Sequence, residues 1–325
     1  MGNKLLLSTF EMDEDAKSRL IESLPDGWEY RTDKEVGGDE LPAVEILLLQ
    51  GPLPKDKLPL MTNLRLIQSF SAGVDHVDFG IIPQNVIVCS NGGAFGGPIG
   101  EFVFGAVISL GRNLFLHDKD MREGKFVKTP QGIYLKGRTI GILGTGGIGQ
   151  NVARLAKSFG MTTAGVNTSG QTAPNFDEVT TVDNLNPVLQ KSDVIVVAVP
   201  LTMKTRNLLG KEEFLHMKPD CIIVNVARGA IISQEALYNF LRDHPEAKAA
   251  IDVWWRYPNL GEETVVQDYP ISSLPNVLSS PHNSDGVEGQ LKQGSDRAVE
   301  NIIRYFYNEP LKGIVNREDY IDVKK

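Results

Sequence analysis

Cysteine is scarce, two in 325 residues, and neither has company at metal-ligand spacing. Cys89 and Cys221 each sit in an apolar, strand-like run, so both read as buried thiols of a reducing compartment, the cytoplasm. Basic residues are outnumbered, 33 against 41 acidic for a formal charge of −8, which removes the electrostatic footprint of a nucleic-acid binder. No apolar run approaches the length of a membrane span, and the first residues enter a strand pattern without a basic lead or a cleavage site. Internal repeats and low-complexity tracts are also missing. The expectation left by these absences is a soluble protein that acts on a small molecule, long enough for two domains.

Glycine is plentiful, and its placement is informative. The apolar, β-branched run Thr139 to Leu143 predicts a buried parallel strand, and it leads into Gly144-x-Gly146-x-x-Gly149. In such a turn the first glycine permits a tight bend, the second lets a pyrophosphate reach the backbone, and the third lets the next helix pack close. Ile148, Val152, Leu155, Ala156 and Phe159 then form an apolar helical stripe that stops at Gly160, and Thr162 to Val166 reads as a second strand. This strand, turn, helix and strand make a dinucleotide-binding unit, with the helix start offering N–H groups to phosphate. The position that usually carries an acid for the ribose hydroxyls of NAD is Asn167. Without that carboxylate, and with Thr168 and Ser169 beside it, repulsion of a 2′-phosphate is gone but no arginine lies nearby to pair with one, which tilts the reading only slightly toward NADP.

Ahead of this unit the chain alternates strand and helix patterns: strands at 4–9, 44–49, 64–69 and 86–89, with a helix at 13–24 whose acidic start is a solvated cap. A separate small parallel sheet is expected there. Ser71-Ala72-Gly73-Val74-Asp75-His76 follows a strand directly, so it is either a ligand loop or a glycine turn capped by Asp75. The stretch 91–98, with four glycines and Pro98, predicts a hinge without structure of its own. A long helix is then expected from Pro98 to Leu116, with Glu101 in its first turn and apolar residues on more than one face, either deeply buried or packed on another subunit. Further buried strands are expected at 193–200, 221–226 and 249–253, and a helix over 287–307 that returns to the first domain.

Two residues past strand ends could carry chemistry. Arg228, in Asn225-Val226-Ala227-Arg228-Gly229, offers a planar fork for a carboxylate or a polarised carbonyl, or is a surface arginine in a turn. His282, in Ser280-Pro281-His282-Asn283, is mounted for acid–base work or is structural. Phe95, Trp254, Trp255 and Tyr257 could line an apolar pocket or simply pack a core.

Taken together, the Ala72-Gly73-Val74-Asp75-His76 loop, the glycine turn, Val199-Pro200-Leu201-Thr202, Asn225 to Gly229, Asp252-Val253 and Pro281-His282 resemble the D-isomer-specific 2-hydroxyacid dehydrogenases. That family includes glyoxylate/hydroxypyruvate reductases and D-lactate and D-phosphoglycerate dehydrogenases, and the likeness runs along nearly the whole chain. It implies two α/β domains, Rossmann-like and flavodoxin-like parallel sheets with a cleft between them: residues 1–97 plus 288–325 for substrate and 98–287 for NAD(P). It implies hydride transfer between NAD(P)H and a small 2-keto acid, giving a D-2-hydroxy acid, in a homodimer joined through the long helix. Backbone N–H groups of Ala72 and Gly73 would hold the substrate carboxylate, Arg228 the carboxylate and carbonyl oxygen, and His282 would donate the proton. The cofactor would be held by Gly144, Thr145, Gly146, Gly147, Ile148 and Gly149, by Asn167, Thr168 and Ser169, and by Val199, Pro200, Thr205, Val226, Ala227, Asp252 and His282, with no metal. Two rivals carry less. A sensor of the same family with little turnover would not need both Arg228 and His282, and L-hydroxyacid dehydrogenases open with the glycine turn near their N-terminus.

One position departs from the family. A glutamate normally stands five residues beyond Asp252 and holds the imidazole; here that residue is Tyr257. A neutral phenol orients a ring but brings no charge to raise its pKa, leaving His282 near the free value of about 6.5, unless Asp285 takes the glutamate's place. Reduction needs the protonated imidazole, so a carboxylate at 257 extends activity upward in pH. The Tyr257→Glu variant is expected to keep its kcat/KM for reduction to higher pH than the parent; superimposable pH profiles would contradict this.

Overall fold

The computed structural model describes residues 4–258 and 266–321, and the chain divides into two compact units: Met1–Phe95 with Val287–Lys325, and Gly96–Gly286. In the first unit the strands β1 (Lys4–Ser8), β2 (Trp28–Thr32), β3 (Val44–Leu49), β4 (Leu66–Ser69) and β5 (Ile87–Cys89) form one parallel sheet in the order β2-β1-β3-β4-β5. Strand alternation sorts the core onto two faces. Leu5, Leu7, Leu47, Leu49 and Ile67 pack on one side, and Leu6, Ile46, Leu48 and Leu66 on the other. The second face is covered by α1 (Glu14–Glu22) and by the helix Gln290–Phe306, whose Ala298, Val299 and Ile302 are buried there. Asp13 caps α1, its side chain accepting from the Ala16 N–H, as the acidic start suggests. Strand β2 has no counterpart in the sequence reading. It is an edge strand, half-buried and interrupted by the Glu29–Arg31 ion pair, so it lacks the apolar run of a central strand.

The second unit begins with helix, which corrects the expected stretch without structure of its own at 91–98: residues 92–95 form a turn and α2 (Gly96–Gly111) starts at once. Close packing explains it, because a Cβ on Gly96 would lie 2.6 Å from the Gly147 carbonyl oxygen and one on Gly100 would lie 3.2 Å from Asn151. The long helix expected to reach Leu116 instead stops at Gly111, and α3 (Leu114–Arg122) leaves at 61°. The break is Asn113, left-handed at φ 56°, buried, its amide donating to the Pro130 carbonyl and its oxygen accepting from Lys248 Nζ at 2.6 Å. Glu101 consequently stands beyond the first turn of α2. Val103, Phe104, Val107 and Leu110 are buried within the unit itself.

Beyond α3 come β6 (Thr139–Leu143), α4 (Gly147–Ser158), β7 (Thr162–Asn167), β8 (Glu178–Thr181), α5 (Asn186–Lys191), β9 (Val194–Val197), α6 (Lys211–Phe214), β10 (Ile222–Asn225), α7 (Gln234–Asp243), β11 (Lys248–Ile251) and β12 (Val277–Ser279). All seven strands are parallel, in the order β12-β11-β10-β9-β6-β7-β8. Strand order reverses between β6 and β9, the topological switch point where doubly wound sheets bind ligands at their carboxyl edge. Register fixes that edge: Leu143 pairs with Val197, Val197 with Asn225, Asn225 with Ile251 and Ile251 with Ser279. The loops after these strands therefore start at one level. No single helix among the described residues is long and apolar enough to cross a membrane.

Candidate active site

The glycine turn has the geometry its spacing predicts. Gly144 adopts φ +106°, and a Cβ there would sit 2.6 Å from the Ala198 carbonyl oxygen, so both the bend and the approach to the neighbouring loop require glycine. A Cβ on Gly149 would fall 1.9 Å from the Gly144 oxygen, which is the close packing of helix on turn. Beside Gly146, by contrast, nothing lies within 4 Å of a built Cβ. It is the N-cap of α4, a twelve-residue helix, so open space adjoins the positive end of a helix dipole. A pyrophosphate fits this cradle, with N–H groups from Gly147 onward available to it. Thr145 Oγ1 accepts from the Asn167 amide at 2.9 Å, tying the turn to the end of β7. The Asn167 oxygen accepts the N–H groups of Ser169 and Gly170, so a neutral, self-bonded loop stands where an acid is usual. In the loop after β9, Thr205 Oγ1 donates to the Pro200 carbonyl and accepts the Thr202 N–H, fixing Val199 to Thr205 as one turn.

Beyond β9 on the same edge, β10, β11 and β12 present Arg228, Asp252 and His282 in a row. Asn225 is buried, accepts the Ala227 N–H and donates to the Arg228 carbonyl, which sets the turn that carries the guanidinium. The half-buried Arg228 side chain donates to the Ala227 carbonyl at 2.7 Å. Asp252 is fully buried. One of its oxygens accepts from Ser280 Oγ at 2.6 Å and Asn283 N–H at 3.0 Å, and the other accepts Ser284 N–H at 3.1 Å. Burying a carboxylate costs several kcal/mol unless hydrogen bonds replace its water, and these three do so while gripping the loop on both sides of His282. His282 itself is exposed and left-handed, φ 58°, a conformation costing a non-glycine residue about 1–3 kcal/mol and held by that grip.

Tyr257 meets the imidazole through its ring, centroids 5.3 Å apart at 34°, while its oxygen accepts the Trp254 N–H at 3.3 Å. Of the aromatic residues weighed for a pocket, Trp254 is buried, its indole N–H on the Ser280 carbonyl, and Trp255 is half-buried, its indole N–H on the Ile232 carbonyl. Phe95 is buried against Phe70 in the core of the first unit. There Ala72 and Gly73 lie half-buried in the loop after β4, which is held by Asn91: its N–H bonds the Ser71 carbonyl and its amide the Phe70 carbonyl. Sequence alone assigns no role to Asn225, Ser280 or Asn91. A serine two residues before the histidine is the one signal available, and its meaning depends on the acid that topology brings to it.

Cys89 and Cys221 are free and buried, and burial pushes their thiols up to about 11 and about 12, so both are inert neutral thiols. Among the described residues no group of three or more histidine, cysteine, aspartate or glutamate side chains could hold a metal ion.

Residues 104–284 match the family model described as the D-isomer specific 2-hydroxyacid dehydrogenase NAD binding domain. A glyoxylate reductase of Thermococcus gammatolerans is 30% identical over 272 residues, 81% of this chain and 79% of that one. A D-3-phosphoglycerate dehydrogenase of Methanocaldococcus jannaschii is 32% identical over 81% of this chain, which spans about half of that relative, 49% of its length. Among solved structures, a D-isomer specific 2-hydroxyacid dehydrogenase family protein of Aeromonas salmonicida aligns with a TM-score of 0.77 and 30% identity, covering 97% of this chain and 99% of that one. A relative from Xanthobacter autotrophicus, in complex with NADPH and MES, aligns at 0.79 with 26% identity, covering 97% and 98%.

The second and third glycines of the turn separate fold from ligand. Gly146→Ala is expected to weaken NADH and NADPH binding, read by fluorescence titration, about tenfold or more while Tm stays put. Gly149→Ala is expected to lower stability by about 1–3 kcal/mol through overpacking. Equal affinity in Gly146→Ala and the parent would remove the phosphate from this turn.

Proposed function

Because the chain belongs to the D-isomer-specific 2-hydroxyacid dehydrogenase family, we propose that it reduces a small 2-keto acid to the D-2-hydroxy acid, and runs the reverse, with NAD(P)H. The observation that carries this reading is the row of loops after β10, β11 and β12, which sets a guanidinium, a buried acid and an imidazole along one sheet edge that also carries the phosphate-type turn.

When bound, the dinucleotide supplies the hydride. As the keto carbon accepts it, charge develops on the carbonyl oxygen. The Arg228 guanidinium stabilises that charge, and a ring N–H of protonated His282 passes its proton to the same oxygen. Asp252 keeps the His282 loop in its left-handed turn, and Tyr257 steadies the imidazole face. Backbone N–H groups of Ala72 and Gly73 take the substrate carboxylate. Gly144 to Gly149 hold the pyrophosphate, Val199, Pro200, Thr205, Val226 and Ala227 the nicotinamide half, and Asn167, Thr168 and Ser169 the adenosine ribose. An uncharged Asn167 loop supports NADP over NAD.

A second copy of the chain completes the assembly. Leu114, Met121, Phe126, Val127 and Tyr134 stand exposed on and after α3, with Phe126 at 78% and Tyr134 at 76%, and a partner would cover them. This moves the proposed dimer contact from α2, which is largely buried in its own unit, to the segment that follows it. Two free, buried, neutral thiols fit a cytoplasmic protein.

A panel of 2-keto acids including glyoxylate and hydroxypyruvate, assayed with NADPH and NADH, tests the reading. Oxidation of the reduced cofactor is expected with at least one acid, faster with NADPH. His282→Asn should lower kcat roughly 10²–10⁴-fold. No oxidation across the panel, or full activity without the imidazole, would defeat it.

A further inference from the structure

We propose that Trp254 and Trp255 are positioning residues, a two-sided clamp that sets the spacing between Arg228 and His282. The proposal rests on the dehydrogenase reading for its kinetic consequences and on geometry for the clamp itself. Arg228, Trp254 and His282 are each the third residue beyond paired strand ends, Asn225, Ile251 and Ser279, so the tryptophan pair stands between the other two. With adjacent strands about 4.8 Å apart, β10 and β12 are roughly 10 Å from each other with β11 between them, so past the strand ends it is the β11 loop that spans the distance.

Each indole spends its N–H outside its own loop, and on opposite sides. Trp254 Nε1 donates to the Ser280 carbonyl at 3.0 Å, two residues before His282. Trp255 Nε1 donates to the Ile232 carbonyl at 2.7 Å, closing the short turn Gly229–Ile231 that follows Arg228. The backbone completes the bridge. A Cβ on Gly229 would lie 2.5 Å from the Trp254 carbonyl carbon, so the tryptophan backbone rests directly on the residue after Arg228. On the histidine side, the Trp254 N–H donates to Tyr257 Oη, and the ring of Tyr257 lies on His282. A buried tryptophan that served packing alone would need a partner for its N–H but would have no reason to find it in the loop carrying the imidazole. The left-handed turn at His282 adds the need: a strained residue persists only where its surroundings over-determine it, and Asp252 and Trp254 together do so.

Phenylalanine keeps the ring and removes the N–H, so paired variants separate positioning from packing. Trp254→Phe is expected to speed amide hydrogen exchange at Asn283 and Ser284 roughly five- to tenfold and to lower kcat by a similar factor, with KM within about twofold. Trp255→Phe is expected to leave those two amides at the parent rate and to raise KM for the keto acid several-fold more than it lowers kcat. The exchange arm is read without substrate, so it judges the clamp even if no keto acid is turned over and the proposed activity fails. Parent exchange rates in Trp254→Phe would overturn the clamp. So would two variants that lose kcat and KM in the same proportion as Tm falls, the signature of packing alone.

Discussion

The hydrogen-bond ladder of the seven-stranded sheet pairs Val197 with Asn225, Asn225 with Ile251 and Ile251 with Ser279, and so ends its strands in step. A parallel ladder has evenly spaced bonds, and a slip of one residue in any strand would turn its buried side chains to the wrong face. Side-chain packing on both buried faces holds the register, and every residue within three positions of a strand end is delivered to the same edge. Arg228, Asp252 and His282 are far apart in the chain, and this register brings them to one edge of the sheet.

Register sets the level of the loops but not their conformation, which is fixed by polar contacts that each cost something. Asp252 gives up its hydration and recovers three hydrogen bonds; His282 takes a left-handed turn and is held there by those same bonds. Gly144, Gly149 and Gly229 give up side chains so that backbones can touch at distances no Cβ would allow. The edge of the sheet is thus more strained and more polar than its centre, as expected of a site built for binding and charge stabilisation rather than for stability.

How much of this could be read from the residues depends on how local each feature is. The strand at Thr139–Leu143, the glycine turn and the helix after it are legible because one short stretch contains every constraint. Central strands such as β9 and β10 are legible as apolar runs. Edge strands β2 and β8 are not, since half their residues face water and carry charge or hydroxyls. The break at Asn113 depends on Pro130 and Lys248, distant in sequence, and the pattern of apolar residues runs straight through it. Arg228 and His282 stand out by residue type and by resemblance, whereas the work of Asn225 and the indole N–H groups follows from topology, and Ser280 is marked only by its place two residues before the histidine.

The proposed chemistry requires the guanidinium of Arg228 and the imidazole of His282 to act on one keto acid. The most direct measurement is a crystal structure of the protein with NADPH and oxamate, a keto acid analogue that cannot be reduced. Nitrogen atoms of both side chains are expected within hydrogen-bond distance, about 3 Å, of oxamate oxygens. Oxamate bound by one of the two with the other turned away, or bound elsewhere, would contradict it.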